Sequence, residues 1–215
     1  MRTAVVAGGT GLVGKVLVEQ LLATPAFDRV ATLGRRKSGR EHPRLKEYET
    51  DLLAPNVTEA PTDLFCCLGT TISKAGSEQA FREVDHDMIV SFAKWGRAQG
   101  AIRFFLISSI GADPGSSFFY LRVKGETERD VEALRWGTFY AFRPGMIVGD
   151  RPERRPLEAI GMAAIKAIGA LMVGPLRRQH GVEPDLLARA MIGAALRGDQ
   201  GHQVCEYDDF VRLAG

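Results

Sequence analysis

A glycine-rich segment between an apolar run and a helical pattern is the feature that most narrows the fold of this chain. Arg2–Ala7 (RTAVVA) is a continuous apolar run of the kind that is buried on both faces of a parallel sheet. The segment Ala7–Gly14 (AGGTGLVG) follows it and leads into Val13–Ala23, where apolar side chains recur at helical spacing. A strand, a glycine turn and a helix in this order predict the start of an α/β sheet, with a turn that can approach a phosphate group closely.

Short strand-like and longer helix-like segments alternate along the next part of the chain. Strands are predicted at Val30–Leu33, Leu45–Tyr48, Leu64–Leu68, Ile102–Ile107 and Thr138–Phe142, with helices at Val84–Gln99 and Phe118–Leu134. This order predicts an α/β protein, a Rossmann-like doubly wound parallel sheet with helices on both faces. Because 215 residues suit one domain, we expect a single domain over 1–215, with 150–215 contributing a small C-terminal cap on the substrate side.

The last third of the chain has a different pattern. A helix is predicted at Asp185–Leu196, and His202–Ala214 is interpreted as one more strand and a short helix. The helical segment Leu157–Val173 is very apolar but contains Glu158 and Lys166. It is shorter than the roughly 20 apolar residues that a membrane span needs. We therefore expect no membrane span and predict that this helix is buried against the rest of the domain or against another subunit of a homo-oligomer.

Composition and charge exclude several classes of protein. A net charge of +2, from 28 basic and 26 acidic residues, is too small for a dedicated nucleic-acid binder. Three cysteines (Cys66, Cys67 and Cys205) make no disulfide framework, and the N-terminus has no signal-peptide pattern, so a cytoplasmic location is expected. The four histidines show no metal-ligand spacing and no C-x-x-C motif occurs, so no metal site is expected.

The glycine turn and the end of the second predicted strand together indicate a dinucleotide site. Gly8, Gly11 and Gly14 permit a tight turn, a close approach to a pyrophosphate and close packing of the helix. The alternative is that these glycines form a structural turn that binds no phosphate. A site for NAD usually has Asp or Glu at the end of the second strand. Here Arg35 and Arg36 follow Gly34, and two guanidiniums suit a 2′-phosphate, which favours NADP over a merely solvated basic turn.

A serine, a tyrosine and a lysine follow the strongest strand signal. Ser108 and Ser109 directly follow the predicted strand Ile102–Ile107. Tyr120 and Lys124 then lie four residues apart in a helical segment. Residues at this spacing share a helix face, so the ammonium favours the ionised phenol, which can exchange a proton with a carbonyl or alcohol oxygen. A serine hydroxyl at the end of this strand can hydrogen-bond the same oxygen. Ser109 is the serine predicted for this role, and Ser108 is the alternative. The acidic run Asp85-His86-Asp87 is interpreted as a charged helix start, with contact to cofactor or substrate as the alternative.

These motifs resemble the short-chain dehydrogenase/reductase superfamily, and in particular its atypical members grouped with Tat-interacting-protein oxidoreductases and small NAD(P)-binding epimerase-like proteins. The resemblance rests on GGTGLVG, LGRRKS, FCCLGTT, FLISSIGAD, FFYLRVKGETE and FRPGMIVGDR, and it spans nearly the whole chain. It implies that the pyrophosphate is lined by Gly8, Thr10, Gly11, Leu12 and Val13, the 2′-phosphate by Arg35 and Arg36, the adenine by Asp51 and Leu52, and the nicotinamide side by Leu68, Gly69, Thr70, Pro144, Gly145 and Met146. It also implies that Tyr120 is the acid/base and that Lys124 holds the nicotinamide ribose.

The function expected from the sequence is NADP-dependent hydride transfer between nicotinamide and a small carbonyl or alcohol substrate. A regulatory or sensor protein that binds NADP without turnover is the main alternative, and a flavin-reductase-like protein that does not use the tyrosine is the third. Extended members of the superfamily have a much larger C-terminal substrate domain than the 65 or so residues here. That difference argues against epimerase or dehydratase activity on sugar nucleotides.

Overall fold

The computed structural model describes residues 1–148 and 181–215. Its strands are β1 (Thr3–Ala7), β2 (Arg29–Gly34), β3 (Leu45–Glu49), β4 (Asp63–Cys66), β5 (Arg103–Ile107), β6 (Thr138–Phe142) and β7 (Gly201–Cys205). Its helices are α1 (Leu12–Ala23), α2 (Ile72–Ala75), α3 (Glu78–Arg82), α4 (Met88–Ala98), α5 (Phe119–Glu132), α6 (Pro184–Arg197) and α7 (Tyr207–Ala214), with a π-helical turn at Glu83–Asp87.

Within the described residues, the strands form one seven-stranded sheet in the order β3-β2-β1-β4-β5-β6-β7. All of the pairings are parallel. The order of the strands reverses between β1 and β4, which is the point where doubly wound sheets bind their ligands. The predicted Rossmann-like fold is confirmed.

Alternate residues along the strands divide the core into two layers. On one face, Val6 and Phe65 pack with apolar residues of α1, α6 and α7. On the other face, Val5 and Leu64 pack with residues of α4 and with Trp136. Because both faces of β1 and β4 are covered, these strands are apolar after their first residues, Thr3 and Asp63, as buried parallel strands usually are.

The structure differs from the predicted elements mainly near β4 and α4. The strand predicted at Leu64–Leu68 ends at Cys66, where the chain begins to turn towards α2. The helix predicted from Val84 is preceded by α3, because Ser77 Oγ accepts a hydrogen bond from Ala80 N at 3.1 Å and caps a helical turn there.

Residues 181–215 are part of the sheet and of its helical layer. β7 pairs with β6, and α6 and α7 pack on the face that α1 covers. The assignment of 150–215 to the substrate side stays a prediction. The predicted helix Leu157–Val173 lies outside the described residues. No helix among residues 1–148 and 181–215 combines the length and apolar character needed to cross a bilayer.

Candidate active site

The carboxyl ends of the parallel strands bring the predicted site segments to one edge of the sheet. The glycine turn follows β1, Arg35 and Arg36 follow β2, Leu68–Thr70 follow β4, Ser108 and Ser109 follow β5, and Pro144–Met146 follow β6. Two of these loops are hydrogen-bonded to each other, since Ile110 N donates to Pro144 O at 3.1 Å. Open α/β sheets bind ligands at this edge.

The glycine turn is packed too closely to accept side chains at two positions. Gly8 has φ +82°, and a Cβ there would lie 2.8 Å from the carbonyl carbon of Cys67. A Cβ on Gly14 would lie 2.1 Å from Gly8 O, so the first turn of α1 rests directly on the turn that leaves β1. Gly11 N donates to Gly8 O at 2.9 Å, and no side chain caps the N-terminus of α1. The amide groups of that first turn are therefore left for an anion, which fits the pyrophosphate of a dinucleotide.

A cleft runs from the glycine turn to the end of β2. It brings together six of the predicted cofactor residues, namely Gly8, Thr10, Arg35, Arg36, Leu52 and Leu68. It is completed by residues that the sequence analysis did not assign to the cofactor, namely Gly9, Thr32, Leu33, Gly34, Val84 and Met88. Val84 begins the predicted helix Val84–Gln99 and Met88 lies one turn later, so their shared helix face could have indicated that they lie together.

The remaining predicted residues do not line this cleft. Gly11 and Leu12 are at the start of α1, where Val13 is buried. Asp51 is exposed beside Leu52, Thr70 is half-buried and Gly69 is exposed. Pro144 is buried, whereas Gly145 and Met146 are exposed after β6. Ser109, Tyr120 and Lys124 are not among the lining residues of the cleft.

The arginine loop is held by Glu47, a residue that the sequence analysis did not single out. Its carboxylate accepts hydrogen bonds from Ser38 N at 2.9 Å and from Gly39 N at 3.0 Å. Burial opposes ionisation, but these hydrogen bonds prevail and lower the pKa of Glu47 below its usual value. The loop that contains Arg35 and Arg36 is thus fixed to β3 by a charged acceptor.

Helix α5 carries Tyr120 in its first turn and Lys124 in its second. The ring of Tyr120 packs on the buried ring of Phe81, with centroids 5.4 Å apart. A Cβ on Gly125 would lie 2.2 Å from Pro114 N, so the loop after β5 rests on this helix. Further along α5, buried Glu128 accepts two hydrogen bonds from Arg143, at 3.0 and 2.6 Å. These contacts fix α5 against the ends of β5 and β6.

The ammonium of Lys124 is buried and paired with Asp85. Lys124 Nζ lies 2.7 Å from Asp85 Oδ1, and the two side chains are 6% and 0% exposed. Burial alone would lower the pKa of Lys124, but the negative charge of Asp85 outweighs the effect of burial and the pKa is raised. Asp85 lies in the charged turn that leads into α4, as interpreted from the sequence, but its carboxylate is buried and supplies the counter-charge that a buried lysine requires.

The two serines are both buried, and their hydroxyls differ. Ser109 Oγ donates to Ile110 O at 3.3 Å. Ser108 Oγ has no hydrogen-bond partner in the described part of the chain. Alternation along β5 also places Ser108 on the same face as Leu106, which belongs to the layer that contains residues of α4 and α5. Both serines therefore stay candidates.

Comparisons with known proteins place the chain in a family. No family model matches. The chain itself is 34% identical over 211 residues to the protein fmp52, mitochondrial, of Emericella nidulans, and the match covers 94% of this chain and 90% of that protein. It is 38% identical over 170 residues to the protein HTATIP2 of Rattus norvegicus, covering 73% and 67%. The Bordetella bronchiseptica enzyme WbmH, solved in complex with NAD+, matches with a TM-score of 0.68 at 16% identity, over 96% of this chain and 75% of WbmH.

The sheet order and the glycine turn define a Rossmann domain of the dinucleotide-binding type. The chain belongs to the Fmp52 and HTATIP2 family of atypical short-chain dehydrogenases/reductases.

The predicted cytoplasmic location is wrong, because several curated fungal relatives at 33–34% identity are named as mitochondrial proteins. Free cysteines report a reducing environment and do not distinguish one reducing compartment from another.

Proposed function

We propose that this protein is an NADP-dependent oxidoreductase that interconverts a carbonyl substrate and its alcohol. The observation that carries the proposal is the cleft that joins the glycine turn to Arg35 and Arg36. A nicotinamide dinucleotide as the cofactor is supported by WbmH, which has the same fold and was solved in complex with NAD+. The names of Fmp52 and HTATIP2 specify no reaction.

The glycine turn and the amide groups at the start of α1 would hold the pyrophosphate, and Leu52 and Leu68 would contact the adenine and nicotinamide ends. Arg35 and Arg36 would bind the 2′-phosphate, as charge-assisted donors on the loop that Glu47 fixes. When bound, the cofactor supplies or accepts the hydride that changes the oxidation state of the substrate carbon. Asp51, Gly69, Thr70, Pro144, Gly145 and Met146 remain proposed neighbours of the cofactor.

The residues of the chain would manage the accompanying proton. In the reductive direction, the Tyr120 hydroxyl donates its proton to the carbonyl oxygen while the carbonyl carbon receives the hydride. The Lys124 ammonium stabilises the phenolate that remains, and water returns the proton. A serine hydroxyl, from Ser109 or from Ser108, hydrogen-bonds the same oxygen.

We expect NADPH to bind at least about tenfold more tightly than NADH, a preference worth about 1.4 kcal/mol. The Arg35→Ala/Arg36→Ala variant should lose this preference, because it removes both guanidiniums that line the cleft. Titration calorimetry with both cofactors would measure it. Lys37→Ala is the matched control, since Lys37 is the next residue, is exposed and does not line the cleft. Equal affinities in the unmodified protein would contradict NADP specificity.

The alternative function is an NADP sensor that binds the cofactor and acts on a partner without turnover. A panel of aldehydes, ketones and quinones, assayed by the loss of NADPH absorbance, distinguishes the two. We expect turnover of at least one carbonyl class. NADPH binding without turnover across the panel would favour the sensor.

A further inference from the structure

Asp85 connects three parts of the site. Its Oδ1 lies 2.7 Å from Lys124 Nζ on α5, and its Oδ2 accepts a hydrogen bond from Thr70 N, in the loop after β4, at 2.8 Å. Its backbone carbonyl accepts from Thr127 Oγ1, also on α5, at 2.8 Å. The carboxylate is fully buried in the π-helical turn between α3 and α4. It therefore holds Lys124 and the predicted nicotinamide-side loop in one arrangement.

The charge of Asp85 matters as much as its position. Within residues 1–148 and 181–215, the titratable groups that act on Lys124 are Asp85 from the π-helical turn, Tyr120 from the same helix and Cys66 from β4. Burial raises the pKa of the Cys66 thiol to about 12, so that group is neutral near pH 7. Asp85 is thus the permanent negative charge among these three, and the Lys124–Asp85 pair is close to neutral as a whole. An unpaired ammonium would pull the neighbouring phenol towards its ionised form, and a carboxylate 2.7 Å from that ammonium offsets part of its field.

We propose that Asp85 is a positioning residue that holds Lys124 in place and offsets its charge, so that Tyr120 serves as a proton donor in carbonyl reduction. The phenol then enters the reaction with its proton in place, transfers it to the carbonyl oxygen as the carbon receives the hydride, and is reprotonated from water. The reductive direction rests on the proposed function. The electrostatic effect of Asp85 on Tyr120 does not, and it can be measured in the free protein.

The first test is Asp85→Asn, which keeps the shape of the side chain and removes its charge. The pH at which the Tyr120 phenol ionises should fall by about one unit or more, as expected for a phenol beside an uncompensated cation. The readout is the ¹³C signal of the ring Cζ atoms during a pH titration without cofactor. The chain has four tyrosines, and Tyr120→Phe assigns the relevant signal.

Asp87→Asn is the matched control. Asp87 belongs to the same turn, but its side chain is 48% exposed and pairs with His86 Nδ1 at 2.7 Å. Its removal takes away the same charge at a solvent-screened position, and the titration of Tyr120 should change little. Asp85→Glu should restore most of the unmodified behaviour.

A second variant keeps the proposal testable if Asp85→Asn does not fold. The double variant Asp85→Asn/Lys124→Met has no buried charge at either position, so Tyr120 should titrate close to its pH in the unmodified protein. If Tyr120 ionises at the same pH in folded Asp85→Asn as in the unmodified protein, the proposal is overturned. It is also overturned if the double variant titrates about one unit or more above the unmodified protein, since Lys124 would then act on the phenol without an offset.

Turnover gives an independent reading. If a carbonyl substrate is found, Asp85→Asn should shift the basic limb of the kcat profile for reduction to lower pH, because the proton donor is lost earlier. Absence of turnover with a shifted Tyr120 titration would contradict the proposed enzymatic function and leave the role of Asp85 intact.

Discussion

Tyr120→Phe should reduce the turnover of any carbonyl substrate by roughly 10²–10⁴-fold, the usual contribution of general acid–base catalysis. The substitution removes one hydroxyl and keeps the ring that packs on Phe81, at a centroid distance of 5.4 Å. The fold and the affinity for NADPH should therefore be preserved. Steady-state kinetics together with an NADPH titration would measure both quantities.

Tyr140→Phe is the control for loss of a tyrosine hydroxyl elsewhere in the sheet. Tyr140 donates to Asp199 at 2.6 Å and belongs to the core layer of α1, α6 and α7, so this variant should lose some stability and keep its turnover. Lys124→Ala is a poor substitute for either variant, because it leaves the Asp85 carboxylate buried without its counter-charge. Full activity in Tyr120→Phe would end the proposed acid/base role while leaving cofactor binding open.

Asp63→Ala should lower the free energy of unfolding by about 3–5 kcal/mol, the usual cost of breaking a buried ion pair. Asp63 is fully buried at the start of β4 and accepts four hydrogen bonds from Arg2 and Arg103, at 2.6–3.0 Å. Its removal leaves two guanidiniums without their acceptor. Both are about one-fifth exposed, so water offsets part of the loss and the lower end of the range is expected. Urea unfolding would measure the change.

The control for Asp63 is Glu19→Gln, which breaks an exposed pair with Arg40 at 3.4 Å. Such pairs contribute at most about 1 kcal/mol, so the midpoint of unfolding should barely move. A loss of stability in Asp63→Ala no larger than in Glu19→Gln would contradict the structural role of the cluster.

The contribution of Asp63 should also depend on pH. Burial favours the neutral acid, but the hydrogen bonds from Arg2, Arg103 and Thr62 prevail and hold the pKa of Asp63 below its usual value. Because the folded pKa is lower than the unfolded value of about 4, the stabilisation is complete above that value. It is lost as the pH falls towards the folded pKa. The stability difference between the unmodified protein and Asp63→Asn should therefore shrink in acid.

The fold could be predicted because burial on both faces leaves a direct trace in the sequence. Phe104–Ile107 and Phe139–Phe142 are continuous apolar runs, and the observed strands Arg103–Ile107 and Thr138–Phe142 match the predicted ones within one residue. Glycines mark the turn after β1 since no other residue fits at Gly8 or Gly14. The start of α3 was missed because its signal is a single capping serine, Ser77, and not an apolar period.

The partners of the catalytic candidates could not be predicted, because a pairing depends on two elements that are distant in the chain. Tyr120 and Lys124 are recognisable from their spacing within one helix. Asp85 lies in a different element, and the polar run Asp85-His86-Asp87 resembles a solvated surface. Its burial becomes evident once α5 is placed against the π-helical turn. Glu47 was missed for the same reason, since it acts on a loop that precedes its own strand.

The packing of α6 and α7 has a consequence for how the chain is made in the cell. Leu187, Met191 and Phe210 are fully buried in the layer that also contains Val6 and Phe65. A chain synthesised only as far as β6 would expose this face of its central strands to water or to other chains. We therefore expect the nascent protein to stay dependent on chaperones until residues 184–214 have left the ribosome, and a chain shortened before α7 to aggregate during synthesis.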